Sequence, residues 1–553
     1  MYLAASGLTQ DLNPLNSVLG STLVALIPLA LLLVLLAVMR VTAWLAVIIG
    51  AVVTIVMAIT IWHAPAGPTF GAWGIGAGTG IWAIDWIVFW GVVLYNTLVE
   101  TGAMAGFERW LVTQATADIR VQTILLAWAL GALLEGLVGF GYPWAVIAPI
   151  LVGLGVVELE AIRVAAIANN APVSYGALGA PIIALAAVTG VPLLSLSASV
   201  GRIVAILALL PPWILIWLVS GRRGMRGAWP LAVVGSLAYI AGQFPTSQWL
   251  GPYLPDIIGS LVCFGALLLL LRFWRPRETL GFGGVPITSP VAPGEAPAPS
   301  AAGGPGTPER ASLRSALPGF TAFGILIVVV VAATGPWSHL SDYTFVKPEV
   351  DAVSSLPPHG PVAIVWKFAP AIAGTWILVS WLLIVLVLRV RGGQIAAAFR
   401  RSFKQMWGAL LVAPIIFGLA QVFNYSGMAS TLAYGFSRVG TWFILLAPIL
   451  GWIGVALSGS NTTTNALFGG FQYAVGGLLK FPLLLLPSLN SVGAEVGKPV
   501  APQTTSVGVA TTSYVRREGE VIRHNMGWTL VLLGYLILIG LLYYYVLPAA
   551  MKP

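Results

Sequence analysis

The sequence has few charges, a single cysteine and four histidines. Only 8% of its 553 residues are Asp, Glu, Lys or Arg, whereas 58% are hydrophobic, and the mean hydropathy is +0.93. This composition excludes a water-soluble globular protein, which needs a larger polar surface. The lone Cys263 excludes a disulfide framework and a cysteine-based metal site. The histidines form no HExxH or paired His-Cys motif, so we expect no enzyme, no catalytic residue, no metal and no cofactor.

Long apolar runs make up most of the remaining sequence. The runs 22–39, 41–62, 257–271 and 527–547 approach or reach the roughly 20 residues that an α-helix needs to cross about 30 Å of hydrocarbon. A backbone inside lipid must satisfy its own hydrogen bonds, which a helix does. The sequence therefore predicts an all-α polytopic protein of the lipid bilayer.

The net charge of +9 indicates topology and not a nucleic-acid partner, because the arginines cluster at the ends of the apolar runs. The stretches 63–80 and 244–255 contain no Lys or Arg, and 335–370 contains only two, so we expect these three outside the cytoplasm. The basic connections expected in the cytoplasm are Arg40, Arg109–Arg120, Arg222–Arg226, Arg272–Arg314, Arg389–Lys404 and Arg516–Arg523.

Two halves of the chain resemble each other. Asn169, Gly176 and Pro181 in the first half have the same spacing as Asn490, Gly497 and Pro502 in the second. A Gly-rich or polar interruption precedes each set, EGLVGFGYP at 135–143 and SGSNTTTN at 458–465. Matched elements in the same order indicate an internal repeat.

The charge pattern starts the first half outside and the second inside, so the repeats are predicted to be inverted. We expect about 12 spans plus two re-entrant hairpins, the architecture of a secondary transporter with its site near the membrane midplane. The first repeat is predicted at 1–220, with a hairpin at about 122–158 and a broken helix at about 160–190. Connecting spans at 221–274 and a Pro/Gly/Ala-rich flexible cytoplasmic linker at 275–313 follow it. The second repeat is predicted at 314–553, with a hairpin at about 440–479 and a broken helix at about 481–510.

The polar interruptions are candidate substrate sites. Helix ends are tolerated at membrane depth only where they line a cavity, and a half-helix N-terminus carries partial positive charge that can receive a carboxylate. The alternative is that these small polar residues only hold helices together. Six consecutive polar side chains beside glycines, matched by a second interruption, favour the site.

Several blocks also resemble the bacterial L-lactate permease family: EGLVGFGYPWAVIAPILVGLG, NNAPVSYGALGAP, GPYLPDIIGSLV, GSNTTTNALFGG and GKPVAPQ. The resemblance implies proton-coupled uptake of L-lactate and relatives such as glycolate and D-lactate across the inner membrane, by an elevator-like motion. A homodimer is compatible with it. This sequence departs from the family pattern at Tyr142, at Ser174 and Tyr175, and at Glu495, which affects the choice of 2-hydroxy acid.

The expected substrate-binding residues lie at the two interruptions and the two helix breaks: Gly139, Gly141, Tyr142, Asn169, Asn170, Ser460, Asn461, Thr462, Thr463, Asn490, Lys498 and Gln503. Lys498 is the candidate partner of the substrate carboxylate, because an intramembrane charge is costly without a function. Its alternative role is an ion pair with Glu495, three residues earlier. Glu135 is the candidate proton-coupling group, because a low dielectric favours a carboxyl that binds and releases a proton. Its alternative role is to brace the hairpin.

Other functional classes stay open at this point. A sodium-coupled carboxylate transporter would use the same hairpins, with hydroxyl and carbonyl oxygens around the cation. A cation/proton antiporter would need no carboxylate-binding group, so loss of Lys498 would leave its substrate binding intact.

Overall fold

The computed structural model describes residues 7–39, 41–114, 116–139, 141–287, 313–340, 343–356, 361–366, 368–510 and 512–552. Within these residues, ten helices are long and apolar enough to cross a membrane, or eleven if one bent pair counts as a single span. The predicted all-α, multi-pass membrane fold is confirmed. Residues 288–312 of the predicted linker lie outside the described residues.

The first part of the chain forms helices that π-helical turns at Val34–Val38, Gly80–Asp85 and Thr123–Leu130 partly join into longer spans. The helices are α1 (Val18–Ala25), α2 (Ile27–Leu33), α3 (Ala43–Thr60), α4 (Ala66–Thr79), α5 (Trp86–Glu100), α6 (Ala103–Gln114), α7 (Ile119–Gln122), α8 (Gly131–Leu137) and α9 (Tyr142–Gly153).

The next part contains a bent helix pair and a long interrupted helix. Its helices are α10 (Glu158–Ala168), α11 (Gly176–Thr189), α12 (Leu193–Leu207), α13 (Pro211–Trp249) and α14 (Pro255–Phe273), with a 3₁₀ turn at Val173–Tyr175. The segments Glu158–Ala168 and Val173–Thr189 are bent by 66° at their break. Helix α13 is interrupted at Gly221, whose φ of 64° and ψ of −168° are not helical.

The second half adds a small β-hairpin to its helices. Its elements are α15 (Leu313–Thr334), β1 (Glu349–Val353), β2 (Pro361–Val365), α16 (Ala373–Val387), α17 (Gly392–Ser426), α18 (Met428–Phe436), α19 (Phe443–Ser458), α20 (Asn461–Leu478), α21 (Leu485–Gly497), α22 (Pro502–Val509) and α23 (Glu518–Tyr545). A 3₁₀ turn at Lys498–Val500 separates α21 from α22. The two strands pair antiparallel, with Asp351 opposite Ala363.

Some predicted boundaries differ from the structure. The stretch 63–80, expected outside the cytoplasm because it lacks Lys and Arg, is helical from Ala66 onward; missing charge cannot distinguish an external connection from a Gly-rich apolar helix. Helix α16 has only 15 residues, fewer than the roughly 20 that a full span needs.

The two halves interlock through the predicted hairpins and broken helices. Helix α11 of the first half packs against α20 of the second, and α12 packs against α21. Within the second half, α19 and α21 approach closely because glycines face the partner backbone: a Cβ on Gly451 would lie 2.1 Å from the Asn490 carbonyl oxygen, and one on Gly493 would lie 2.2 Å from that of Pro448. Small residues commonly allow such approach in membrane bundles. The re-entrant placement of the hairpins and the inversion of the halves stay predictions.

A buried ion pair fixes the connection that follows α14. Arg120 is 2% exposed and donates to both carboxylate oxygens of Asp118, at 2.9 and 2.6 Å. The same guanidinium donates to the carbonyls of Gly224 and Glu278, at 2.9 and 2.7 Å. The Leu280 amide donates to Asp118 Oδ2 at 3.1 Å. This segment at the start of the predicted linker is thereby tied to α7 and α13.

We expect Arg120→Met to destabilise the protein strongly, because it leaves the Asp118 carboxylate buried without its cation. Breaking a buried pair in this way costs about 3–5 kcal/mol. The matched control is Arg223→Met, which removes an exposed ion pair to Glu278 at 3.3 Å and should have little effect. The thermal unfolding midpoint of each purified variant measures the difference, and equal midpoints would show that the Arg120 cluster does not anchor the connection.

Candidate functional site

The first interruption is a tight turn between α8 and α9. Gly139 and Gly141 have φ values of 68° and 77°, in the left-handed region that favours glycine. A Cβ on Gly139 would lie 3.2 Å from Ala177 Cβ, at the break before α11. The first turn therefore contacts the break in the first broken helix.

The second interruption is a turn of two residues between α19 and α20. Gly459 ends α19 with a φ of 73°, and Ser460 caps α20 by accepting a hydrogen bond from the Thr463 amide at 3.2 Å. Such a cap satisfies one of the free amides at a helix N-terminus. A helix N-terminus of this kind carries partial positive charge that favours a carboxylate.

Both turns meet at the start of α22. A Cβ on Gly141 would lie 2.6 Å from Thr504 Cγ2, and Thr504 Oγ1 donates to the Gly459 carbonyl at 3.2 Å. Gln503 lies against Gly459 from the same side, because a Cβ on Gly459 would lie 2.6 Å from Gln503 Oε1. The two turns and the second broken helix thus form one contiguous unit.

The break in the first broken helix has an unusual backbone. Ala177, Leu178 and Gly179 have φ values of 47°, 57° and 81° in succession. Residues with a Cβ rarely adopt this left-handed backbone conformation. The turn interrupts the helical hydrogen bonds and places Ser174 and Tyr175 in the protein interior, where both are fully buried.

A buried ion pair joins the two halves at these breaks. Lys498 Nζ lies 2.5 Å from Glu135 Oε1, and Asn169 Nδ2 donates to Glu135 Oε2 at 3.1 Å. Lys498 is 4% exposed and Glu135 is 1% exposed, so the pair is closed off from solvent. Gly176 leaves room for the carboxylate, because a Cβ there would lie 2.6 Å from Glu135 Oε1.

A second polar cluster begins at Ser174. Its hydroxyl donates to Glu495 Oε2 and lies 3.2 Å from Ser491 Oγ. Asn465 Nδ2 donates to Ser491 Oγ at 3.0 Å, and Asn461 Nδ2 donates to the Ser491 carbonyl at 3.1 Å. The second hairpin is therefore bonded to α21 and, through Ser491 and Ser174, to the first half.

The network continues through amide side chains. Asn490 Nδ2 donates to Asn465 Oδ1 at 2.9 Å, and Gln472 Nε2 donates to Asn490 Oδ1 at 2.9 Å. These three residues are all fully buried. Residues of α20 thereby bond to both the nitrogen and the oxygen of the Asn490 side-chain amide.

Several buried polar atoms around this network have no hydrogen-bond partner among the described residues. They are Asn169 Oδ1, both amide atoms of Asn170, Asn461 Oδ1 and Glu495 Oε1. Leaving such a group unpaired costs about 1–3 kcal/mol. Their concentration on the residues of the helix breaks and the second hairpin indicates a place where a polar ligand could complete the bonding.

The predicted site residues fall into groups in the structure. Glu135 contacts both Asn169 and Lys498, and Asn461 and Asn490 are joined through their bonds to Ser491 and Asn465. Other predicted residues lie apart from these contacts. Tyr142 accepts a hydrogen bond from the Tyr95 hydroxyl at 3.0 Å, Thr462 is half-buried, and Gln503 is exposed.

The ion pair of Lys498 is with Glu135 and not with its sequence neighbour Glu495, which bonds to Ser174. Asp256 lies in the first turn of α14, is 1% exposed and accepts a hydrogen bond from the Tyr239 hydroxyl at 2.9 Å. It adjoins the first hairpin, because a Cβ on Gly136 would lie 2.8 Å from Asp256 Cβ. An acidic residue at the start of an apolar run was the only sequence signal for this position.

Comparison with known proteins identifies the family of the chain. Residues 21–547 match the family described as L-lactate permease. The chain belongs to the L-lactate permease family. The predicted family and the predicted multi-pass protein of the bacterial inner membrane are confirmed.

The sequences of several permeases align with almost the whole length of this chain. The glycolate permease GlcA of Escherichia coli (strain K12) is 34% identical over 97% of this chain and 98% of the relative. The L-lactate permease of Bacillus subtilis (strain 168) is 30% identical over 97% and 98%, and that of Escherichia coli (strain K12) is 29% identical over 94% and 95%. Among solved structures, the YdaH transporter of Alcanivorax borkumensis is similar with a TM-score of 0.43 and 16% identity, over 87% of this chain and 88% of that chain.

We expect Gly141→Ala to disrupt the junction of the two turns in this family member. Alanine at a left-handed position costs about 1–2 kcal/mol in any context, and here its methyl group would also displace Thr504. The matched control is Gly190→Ala, because Gly190 has a similar φ of 70° but nothing lies within 4 Å of its Cβ position. The thermal unfolding midpoint should fall further for Gly141→Ala, and equal falls would mean that the contact with Thr504 contributes nothing.

Proposed function

We propose that this chain is a secondary active transporter that carries L-lactate and related small 2-hydroxy monocarboxylates, such as glycolate and D-lactate, together with protons across the bacterial inner membrane. Family membership and the names of the lactate and glycolate permeases to which it is similar support the substrate class. The buried pair of Lys498 and Glu135 is the observation that supports proton coupling.

The proposed coupling is an exchange of partners at Lys498. In the empty protein, Lys498 pairs with Glu135. A substrate carboxylate entering the site takes the place of Glu135 beside the ammonium group, and Glu135 then binds a proton. Because a carboxylate buried without a partner is costly, the substrate anion and the proton enter together.

Charge balance supports this scheme. The empty site holds one cation and one carboxylate, and the loaded site holds one cation, one substrate carboxylate and a neutral Glu135. Both states are neutral at this pair, so neither carries an uncompensated charge through the membrane interior. A state with the substrate but no proton would hold one negative charge in excess.

The hairpins and broken helices are proposed to move together past the remaining spans, in an elevator-like alternation of access. The contacts of Thr504 with Gly141 and with the Gly459 carbonyl support a single moving unit, because they join both turns to α22. The low exposure of Lys498 and Glu135 fits an occluded state of such a cycle. Asn169, Asn461 and the amides at the start of α20 would complete the substrate contacts.

The proposal is tested by uptake of radiolabelled L-lactate into proteoliposomes of the purified protein. We expect accumulation under an inward proton gradient, no stimulation by an inward sodium gradient, and competition by unlabelled glycolate. Accumulation that requires a sodium gradient would show that sodium, and not the proton, is the coupling ion. Absence of lactate and glycolate uptake under every gradient would refute the substrate class.

Variants of the ion pair test the assigned roles. We expect Lys498→Met to abolish lactate uptake, because the substrate carboxylate loses its cation. Glu135→Gln should abolish accumulation driven by the proton gradient while retaining exchange of external for internal lactate, because the amide cannot release a proton. Uptake and exchange are measured in the same vesicles, after the amount of inserted protein is matched.

The control for both variants is Glu100→Gln. It removes a partly exposed ion pair to Arg401 at 3.4 Å, so uptake and exchange should be unchanged. Proton-driven accumulation that survives in Glu135→Gln would assign the proton to another group, and wild-type uptake in Lys498→Met would place the carboxylate elsewhere.

A further inference from the structure

Ser174 and Glu495 lie in different halves of the chain, and the structure brings them into direct contact. Ser174 lies in the break of the first broken helix, and Glu495 lies on α21 of the second. The Ser174 hydroxyl bonds to Glu495 Oε2. Both residues are 0% exposed, so this contact adds an acidic group to the buried polar network at the junction of the halves.

Glu495 lacks the counter-charge that an ionised carboxylate needs in this place. Among the described residues, the buried Lys498 is paired with Glu135, and no ion pair includes Glu495. An isolated carboxylate transferred to a protein interior is far less stable than its neutral form. The structure therefore favours a neutral Glu495.

The other titratable groups within electrostatic reach do not change this conclusion. They are Lys498 on the same segment, Asp256 on α14, Tyr239 on α13 and Tyr175 at the break beside Ser174. Asp256 is itself a buried acid bonded to Tyr239 and adds no positive charge. Lys498 is the only cation among these groups, and Glu135 already accepts its ion pair.

A neutral Glu495 carboxyl group carries a hydrogen-bond donor. Glu495 Oε2 is engaged by Ser174, whereas Glu495 Oε1 is buried without a partner among the described residues. A carboxylic acid carries one O–H donor. Unpartnered acceptors occur at Asn169 Oδ1 and Asn461 Oδ1 among the described residues, so the polar network has room for a further donor.

The position of Glu495 matches the shape of a 2-hydroxy acid. Glu495 precedes Lys498 by three residues, and residues at this spacing on a helix have Cβ atoms about 5–6 Å apart. The carboxylate and hydroxyl of a 2-hydroxy acid sit on adjacent carbon atoms. A carboxylate at Lys498 therefore places the hydroxyl oxygen within reach of Glu495.

We propose that Glu495, held neutral and oriented by Ser174, donates a hydrogen bond to the 2-hydroxyl oxygen of the substrate and so selects hydroxylated over non-hydroxylated monocarboxylates. This inference rests on the transport function proposed above. It assigns to Glu495 a role in specificity and leaves the transported proton to Glu135.

The experiment compares lactate with propionate, which lacks the 2-hydroxyl group. For each variant, the KM for labelled L-lactate and the inhibition constant of propionate are measured in proteoliposomes. We expect Glu495→Gln to retain the wild-type preference for lactate, because its amide also donates. Glu495→Met should raise the KM for lactate about 10-fold or more while changing the propionate constant less than about 3-fold, because only the hydroxylated substrate loses a bond.

Two further variants complete the test. Ser174→Ala should reduce the preference in the same direction as Glu495→Met but by less, and it decides the outcome if the Met variant does not reach the membrane. The matched control is Thr505→Val, which removes a buried hydroxyl that bonds to the Ala501 carbonyl of its own segment at 2.9 Å. Its preference for lactate should equal that of the wild type.

The inference is overturned if Glu495→Gln abolishes uptake in folded protein, since Glu495 would then act as an ionised or titrating group. An unchanged preference in Glu495→Met or, failing expression, in Ser174→Ala also overturns it. Failure of the proposed function itself is distinguishable, because the wild-type protein would then take up no monocarboxylate.

Discussion

The rest of the site depends on one constraint, the cost of burying the ammonium group of Lys498. A buried cation must have a partner, and in this structure the partner is Glu135 from the other half of the chain, at 2.5 Å. Asn169 bonds to the remaining carboxylate oxygen, and Gly176 leaves the space that the carboxylate occupies. The pair thereby fixes the relative position of α8, the first helix break and the second helix break. A ligand that competes for Lys498 acts on all three elements together.

Irregular backbone provides the second condition for the site. The two turns and the two breaks interrupt helical hydrogen bonding inside a bundle that otherwise satisfies its own backbone. Glycines allow this, since Gly139, Gly141 and Gly459 have positive φ values and lie so close to neighbouring residues that a side chain would be obstructed. The free helix ends that result lie beside Ser460 and Asn461, where polar side chains and amides are available to an anion. The same features that interrupt the helices therefore provide the contacts that we propose for the substrate.

Composition and local pattern were sufficient to predict the membrane class, the polar interruptions and the two charged residues Glu135 and Lys498. They could not predict that these two pair with each other, because 363 residues separate them and the helical i, i+3 rule points to Glu495 instead. The bond between Ser174 and Glu495 is equally non-local. Span boundaries failed for a different reason: an apolar, Gly-rich helix such as α4 carries no charge to distinguish it from an external loop.

The central claim is that a substrate carboxylate and Glu135 compete for Lys498, so that binding of the substrate consumes a proton. The most direct measurement is the proton uptake that accompanies L-lactate binding to the purified protein in weakly buffered solution, followed with a pH indicator. The account predicts uptake of one proton per lactate bound, and an affinity for lactate that falls as the pH rises, by up to about tenfold per pH unit. Binding of lactate without proton uptake, and with an affinity independent of pH, would contradict the exchange of partners at Lys498.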